Sequence, residues 1–342
     1  MAARTQDRDW ARYSDEELGE LRLCDLDVTI LGTVLEDRVH RLYAELARRD
    51  IRHRPHAWLS SEWFSPDGVP GIAIPFYLAH ARLMRLEKNQ MLEVEGGRDR
   101  ECMRLLRHEA GHAVSTAYRL HRRKAWREVF GPVSKPYPAT YSAKPFSRDF
   151  VLHLPWWYAQ AHPAEDFAET FAVWLMPRAR WRRLYRDWPA LEKLEFVDEL
   201  MAEIAGTRAP VRSRRQIDPL RQQRFTLRQH YKRKQRRYGE DSPAIYDRDL
   251  KRLFPPIENG TPSEAASRFL RRYQRRLREV VARWTAAHAY TIDIVVRDMI
   301  ERARDLKLRH VRPDEEALDD LQVLVTVQTM KYLQDGHRHI AI

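Results

Sequence analysis

Hydrophobic positions near the start of the chain repeat at helical spacing. Leucine, valine and isoleucine recur every three or four residues across residues 15–50, through LCDLDVTILGTVLEDRVHRLYAELARRD. Residues at this spacing cover one face of a helix, so the pattern predicts helical structure over this range.

Two short apolar runs follow, HAWLSSEWF and GIAIPFYLAH, with the turn-forming sequence SPDGVPG between them. Short apolar or alternating runs bounded by Gly and Pro predict strands, here a hairpin or two adjacent strands. Pro75 lies in the second run, and proline cannot donate a ladder hydrogen bond. The second strand is therefore expected at the edge of a sheet.

The middle of the chain predicts two helices joined by a long loop. The first helix is expected over about 98–123. Residues 126–157 are rich in proline and aromatic residues and predict a long ordered loop, which in a compact domain is usually functional. The second helix should begin at Pro163, which suits a first helical position, and end before Pro177.

The chain becomes strongly basic after about residue 207. Arginine and lysine are dense over 208–237, where Asp218 is the only acidic residue. After the breaker FPPIENGTP, helical patterns recur near 263–284, 285–306 and 314–335. We therefore divide the chain into a first domain, 1–206, and a basic, all-helical C-terminal region, 207–342.

The composition is that of a folded protein. The 342 residues are 43% hydrophobic and 32% charged, enough for one large domain or two smaller ones. A net charge of +12 would attract nucleic acid, an anionic membrane surface or an acidic partner. An arginine-rich surface that only contacts solvent fits equally well, and no helix-turn-helix, zinc-finger or RNA-recognition motif accompanies the charge.

Cysteine usage and the N-terminal sequence narrow the class of protein further. Cys24 and Cys102 are too few for a disulfide framework or a cysteine-rich zinc site, so histidines and carboxylates must hold any metal. MAARTQDRDWARYSDEELGE has no apolar signal-peptide core, and no run reaches membrane-span length. A cytoplasmic location is the default expectation.

Candidate chemistry begins with His108-Glu109-Ala110-Gly111-His112, an HExxH motif inside the first of these helices. Residues four apart share a helix face, so both imidazoles can reach one zinc ion while Glu109 lies beside them as a candidate general base. A surface helix that happens to carry two histidines is the alternative. Arg107 favours that alternative slightly, although helical geometry turns it away from His108.

A catalytic zinc usually takes a third protein ligand. The helix that begins at Pro163 offers Glu165 and Glu169 on one face, and also Asp166. One glutamate could complete a His2Glu site, and the other could accept a hydrogen bond from a ligand imidazole. Acidic residues also suit the first turn of any helix, so the carboxylates alone do not establish a site.

The two segments LRHEAGHAV and KPFSRDFVLHLPWWYAQAHPAEDFAETFAVWL resemble the bacterial family of zinc-binding metallopeptidases of gluzincin type. An RHExGH helix and a YAxxHPxEDFAETFA segment recur in that family. The resemblance is close over about 98–177, weaker over the preceding strands and absent beyond about 210. It implies an α+β fold with a mainly helical, zincin-like core and a small antiparallel sheet.

The resemblance also implies roles for single residues. His108, His112 and Glu165 would hold Zn2+, Glu169 would support a ligand histidine, and Glu109 would be the general base. Tyr158, seven residues before Glu165, would stabilise the oxyanion. Substrate would pair with an edge strand that precedes the helix, the position of GIAIPFYL.

The role given to Tyr158 has alternatives in the sequence. Tyr158 could instead pack with Trp156 and Trp157. His153 and His162 are rival candidates, although His162 directly precedes Pro163 and is expected to cap or pack the helix start.

The predicted function is zinc-dependent hydrolysis of a peptide or protein substrate. The alternative is a nucleic-acid-binding or regulatory protein with a structural or vestigial zinc site, and hydrolysis of a non-peptide amide is a third possibility. The run RSRRQIDPLRQQRFTLRQHYKRKQRRY, and the arginine-rich helix after it, would bind nucleic acid or an acidic partner.

Overall fold

The computed structural model describes residues 9–138, 141, 144, 147–238, 246–255 and 263–334. Their structure is mainly helical and forms two compact units. The first unit comprises the chain up to Gln90 together with Val94–His230, and the second comprises Met91–Glu93 and the chain from Tyr231. The expected domain boundary after residue 206 lies inside the first unit, and the division into functional domains stays a prediction.

Most helices begin in the first unit. They are α1 (Asp15–Glu20), α2 (Val34–Arg48), α3 (Ala81–Met91), α4 (Asp99–Tyr118), α5 (Lys124–Phe130), α6 (Pro163–Leu175), α7 (Trp181–Leu184), α8 (Ala190–Ile204) and α9 (Leu227–Tyr238). The expected helices that begin near residue 98 and at Pro163 are therefore confirmed as α4 and α6. Within the expected loop 126–157, residues 139–140, 142–143 and 145–146 lie outside the described part.

The helical structure expected over residues 15–50 is confirmed in α1 and α2, but no α-helix covers residues 21–33. The chain leaves α1 after Glu20, and α2 begins only after Thr33, whose side chain accepts a hydrogen bond from the Leu35 amide. Leu23 between them is fully buried, and its amide donates to the carbonyl of Phe225. Leu23–Asp25 forms only a 3-10 turn, because carbonyls from a distant part of the chain accept the hydrogen bonds of this backbone and no α-helix is needed to satisfy it.

The strands β1 (His56–Ser60) and β2 (Gly71–Pro75) are parallel, so the expected antiparallel sheet is wrong here. After β1 the chain crosses to the other side of β2, where Phe64 forms an antiparallel bridge with Ala73. The SPDGVPG turn therefore joins Phe64 to β2, with Gly68 at φ +73°. The sequence SPDGVPG does form a turn, but the two segments that it joins are the one containing Phe64 and β2, rather than β1 and β2.

The expectation that β2 is an edge strand is also wrong at its centre. All five residues of β2 are buried, with β1 along one side and Phe64 bridged to Ala73 on the other. The outer segment on this side is the one that contains Phe64. Substrate pairing with GIAIPFYL at Ala73 is therefore blocked by the chain itself.

The first part of the basic segment packs along β1 in an extended path. The side chains of His56, Trp58 and Ser60 bond the backbone carbonyls of residues 215, 217 and 218 at 2.7–2.9 Å. The expectation of an all-helical region from residue 207 is thus wrong for 207–219. The basic composition of this segment gave no sign of its extended backbone, which hydrogen bonds from alternating side chains of β1 hold in place.

The second unit contains α10 (Asp247–Leu253), α11 (Ala266–Thr285), α12 (Ala289–Asp305) and α13 (Asp314–Gln334). Strands β3 (Glu264–Ala265) and β4 (Arg309–His310) pair antiparallel. The three C-terminal helices expected from periodicity are confirmed to within a few residues. Within the described ranges, no helix is both long and apolar enough to cross a membrane.

Arg107 does not face the two motif histidines. Its guanidinium forms two hydrogen bonds, of 2.7 and 2.8 Å, with the carboxylate of Glu45 on α2. Both side chains are almost completely buried, so the pair joins α2 to α4 inside the unit. Arg107 therefore places no unpaired cation beside the two motif histidines.

Candidate metal centre

Helix α4 presents the HExxH motif to the interior of the first unit. His108 and His112 lie one turn apart, and their Nε2 atoms are 3.1 Å from each other. His108 is 3% exposed, while the His112 side chain retains 17% exposure. The pair therefore has one buried ring and one that reaches toward solvent, unlike two histidines on a surface helix.

Helix α6 supplies the carboxylate that meets both rings. Glu165 Oε2 lies 3.0 Å from His108 Nε2 and 3.2 Å from His112 Nε2. Three ligands of a tetrahedral zinc at about 2.0–2.1 Å stand about 3.3 Å apart, close to the triangle formed here. In the described part of the chain, these three residues form the one group of His, Cys, Asp and Glu side chains that could hold a metal ion.

Glu169 orients the buried histidine. Its Oε1 accepts a hydrogen bond from His108 Nδ1 at 2.8 Å, and its Oε2 accepts one from the Leu154 amide at 2.7 Å. Because Nδ1 is held from outside, Nε2 of His108 faces Glu165 and His112. This is the outer contact that metal-binding histidines usually have.

The charges of the cluster favour a cation between the three side chains. Burial alone would lower the pKa of His108, but hydrogen bonds to Glu165 and Glu169 outweigh it and hold that pKa well above its usual value. Burial would raise the pKa of Glu165, yet His112 and His108 bring it well below the usual value. Buried carboxylates need such a partner, either a proton or a metal ion.

Glu109 lies beside the triangle with one free oxygen. It is 6% exposed, and its Oε2 has no hydrogen-bond partner among the described residues. Burial raises the pKa of its carboxyl group, and the nearby histidines partly offset this increase. Buried polar atoms normally have a hydrogen-bond partner. A buried carboxylate oxygen without one, next to the donor atoms of His108, His112 and Glu165, fits a site where a further polar group would bind beside a metal ion.

Tyr158 contacts the cluster from the segment that precedes α6. Its ring centroid lies 5.6 Å from that of His108 and 6.4 Å from that of Tyr141. Burial and the carboxylates of Glu165 and Glu109 raise its pKa well above the usual value, so the phenol stays a hydrogen-bond donor. The side chain of Trp156, an alternative packing partner of Tyr158, lies outside the described residues.

The rival candidates have other partners. His153 Nε2 bonds the carbonyl of Arg104 at 3.0 Å, and burial lowers its pKa to about 4. His162 caps α6 by accepting from the Ala164 amide, which confirms the expected role. Asp166 lies 2.7 Å from the Lys193 ammonium. None of these three belongs to the triangle.

Sequence reasoning missed Tyr137. Its hydroxyl donates a 2.9 Å hydrogen bond to Glu165 Oε1, and its ring stacks on that of His162. Tyr137 lies in the proline-rich loop, where neither periodicity nor motif spacing distinguishes one tyrosine from another. Its position 28 residues before Glu165 becomes meaningful only after the loop folds back on α6.

Gly111 sets the distance between the two helices of the site. A Cβ atom added there would lie 2.9 Å from Ala168 Cα and 3.2 Å from its carbonyl oxygen on α6. Backbone atoms cannot move aside as a flexible side chain can. The helices can therefore bring Glu165 to the histidines only while residue 111 lacks a side chain.

Replacing Gly111 by alanine is expected to lower the free energy of unfolding by about 1–3 kcal/mol, the usual cost of overpacking, and to weaken zinc retention. Urea unfolding and the zinc content of purified protein measure the two effects. Gly19→Ala on α1 is the matched control, because its Cβ would meet only the Arg228 side chain at 3.7 Å. If the two variants behave alike, close packing at Gly111 does not control the site.

Comparison with known proteins identifies the segment that holds these residues. Residues 83–180 match the model of a family described as "Putative zinc-binding metallo-peptidase". The matched range contains the triangle, Glu109, Tyr158 and Glu169. No curated protein and no solved structure gives a match to the chain. The predicted resemblance is thus confirmed: over residues 83–180, this chain is similar to a family of zinc-binding metallopeptidases.

Proposed function

We propose that this protein is a zinc-dependent metallopeptidase with a gluzincin-type His2Glu centre in a zincin-like domain. His108, His112 and Glu165 hold the zinc ion. The observation that carries the proposal is the triangle of three donor atoms at 3.0–3.2 Å, formed by two helices that are 53 residues apart at His112 and Glu165. Similarity of residues 83–180 to a zinc-binding metallopeptidase family supports the same reading.

The bound zinc would supply a Lewis acid and lower the pKa of an attacking water. Glu109 accepts the proton of that water and later returns it to the leaving amine, since its free Oε2 is buried beside the ligands. Tyr158 donates a hydrogen bond to the oxyanion from its place against the His108 ring. Glu169 keeps His108 oriented through Nδ1.

An extended peptide is the proposed substrate form, and its pairing site is the segment around Phe64. This segment forms the outer side of the sheet next to β2, where the Phe64 carbonyl accepts from the Ala73 amide. Extended peptides commonly bind by adding a strand to such an edge. The role first assigned to GIAIPFYL thus moves to residues 61–65.

A second candidate function, nucleic-acid binding, is favoured by the exposed face of α11. Arg268, Arg271, Arg276 and Arg283 are exposed and form no ion pair within the described residues. Trp284 follows them and is 78% exposed. Free guanidinium groups can contact phosphates, and an exposed indole can stack on a base. In this reading, the zinc site would have a structural role.

Metal analysis of matched variants tests the proposal. We expect about one zinc per chain in the wild type, and loss of that zinc in His108→Ala and Glu165→Ala, because each removes one of three ligands. His121→Asn, outside the triangle, is the control and should retain the metal. Cleavage of a peptide library should require the metal and stop after chelation.

The same samples separate the two candidates. Binding of labelled oligonucleotides at several salt concentrations measures the second function, with α11 arginine-to-glutamine variants as the probe. A wild-type chain without zinc contradicts the peptidase proposal. So does a zinc-loaded chain whose only detectable activity is salt-sensitive oligonucleotide binding. Cleavage of simple amides but not of peptides would show that the substrate is a non-peptide amide, and the proposed metal centre would still stand.

A further inference from the structure

We propose that Tyr137 is a positioning residue of the metal centre, which limits Glu165 to a single ligand oxygen and ties the proline-rich loop to that ligand. The inference rests on the proposed zinc site and adds a residue to it. The contact that supports this role is not part of the triangle. The Tyr137 hydroxyl donates a hydrogen bond to Glu165 Oε1 at 2.9 Å, whereas both histidines face Oε2.

The two oxygens of Glu165 have different partners. Oε2 lies 3.0 and 3.2 Å from the two Nε2 atoms, and Oε1 is taken up by the phenol. A carboxylate can bind a metal through one oxygen or through both. A hydrogen bond from a neutral donor to a carboxylate is charge-assisted, so it competes for the electron density of Oε1. Tyr137 therefore keeps one coordination position free for water.

The phenol is held in place by contacts with the start of α6. Its ring lies 3.8 Å from the His162 ring at an interplanar angle of 18°. His162 is itself fixed, because Nδ1 accepts from the Ala164 amide and Nε2 donates to the Lys135 carbonyl at 2.7 Å. The loop thus folds back on the helix that it precedes, and its tyrosine is oriented before any ligand binds.

Tyr137 remains accessible on its other side. The residue is 46% exposed although its hydroxyl points at a buried carboxylate. Loss of the hydroxyl should therefore leave the core of the unit intact.

The test compares Tyr137→Phe with Tyr118→Phe. Tyr118 lies on α4, and its hydroxyl donates to the Thr207 carbonyl away from the site. Competition with a chromophoric chelator should show zinc affinity about 10–100-fold weaker in Tyr137→Phe, the usual effect of losing an outer contact. Tyr118→Phe should bind zinc like the wild type.

Cobalt substitution adds a readout that a merely structural role would not change. Visible absorption of Co2+ is strongest in four-coordinate sites and weakens when coordination rises. Without the Tyr137 hydroxyl, Glu165 can use both oxygens, so Tyr137→Phe should show weaker cobalt absorption. His162→Asn keeps a helix-capping side chain but removes the ring stack, and should shift both measurements in the same direction.

Three results would overturn the inference in distinguishable ways. Wild-type zinc affinity and cobalt absorption in Tyr137→Phe would refute the role of Tyr137 and leave the proposed zinc site intact. Failure of the wild-type chain itself to bind zinc or cobalt would remove both the proposed function and this role. A loss of affinity without any change in cobalt absorption would contradict the single-oxygen assignment.

Discussion

Replacing Glu109 by glutamine is expected to abolish peptide hydrolysis while leaving the zinc site loaded. Glu109 is not one of the three side chains of the triangle, so its charge is not needed to hold the metal. Removal of a general base typically slows a reaction by about 10²–10⁴-fold. Zinc content should therefore stay near that of the wild type while kcat falls by at least two orders of magnitude.

The choice of glutamine follows from the packing around residue 109. Glu109 is buried on α4, and its Oε2 has no partner among the residues that the structure describes. Glutamine preserves the size of the side chain and removes only its ability to accept a proton. A fall in kcat would then measure the loss of the proton acceptor, because the substitution introduces no cavity and displaces neither histidine.

Glu101→Gln provides the control for this measurement. Glu101 lies in the first turn of the same helix and is not part of the triangle. It should retain wild-type kcat and zinc content, with a small loss of helix stability from the missing N-terminal charge. Full activity of the Glu109 variant would refute the general-base assignment, whereas loss of its zinc would mean that Glu109 has a structural role at the metal.

Breaking the buried pair of Glu45 and Arg107 is expected to cause the largest loss of stability. In Glu45→Gln the guanidinium of Arg107 keeps its charge inside the unit without a carboxylate. Removing one partner of a buried ion pair typically costs about 3–5 kcal/mol, because the remaining charge stays desolvated. We expect a decrease of this size in the free energy of unfolding.

The chain offers a matched control between the same two helices. Arg41 on α2 bonds both carboxylate oxygens of Asp99 on α4, at 2.8 and 2.9 Å, but these side chains are 43% and 59% exposed. Asp99 also lies 3.4 Å from the buried guanidinium of Arg38, so the control variant is Arg41→Gln, which breaks only the exposed pair. Exposed pairs contribute about 0.2–1 kcal/mol, so Arg41→Gln should change stability little. The contrast isolates the effect of burial from the effect of joining α2 to α4.

Urea unfolding of both variants at one pH measures the difference. The double variant Glu45→Gln/Arg107→Met should recover much of the loss, because it removes the stranded charge. Equal destabilisation by Glu45→Gln and Arg41→Gln would contradict the argument from burial. At a temperature where Glu45→Gln remains folded, its zinc content should be that of the wild type, since the pair faces away from the triangle.

Local pattern alone predicted the parts of the site that lie on single helices. The spacing of His108 and His112 places two rings on one face of any helix, whatever packs against it. Pro163 and Pro177 bound α6 because proline fits a first helical turn and is excluded from the interior. The C-terminal helices also follow from periodicity, because their apolar faces pack on neighbours close along the chain.

Features that depend on contacts between distant segments were not predictable in the same way. The apolar residues near Leu23 have helical spacing, but their amides bond carbonyls near Phe225, and only a short 3-10 helix forms, at Leu23–Asp25. The turn before β2 joins it to Phe64 rather than to β1, so the strands are parallel. Sequence spacing records which residues become buried, but not which distant backbone completes their hydrogen bonds.

The metal centre shows the same division between the two levels. The sequence by itself determined the donor types, the helical spacing of His108 and His112 and the candidate carboxylates of α6. Only the tertiary structure decided that Glu165 meets both rings, that Glu169 holds His108 from outside and that Tyr137 takes the second oxygen of Glu165. The physical reason is close packing: α4 and α6 can approach this far only because Gly111 leaves room for the backbone of Ala168.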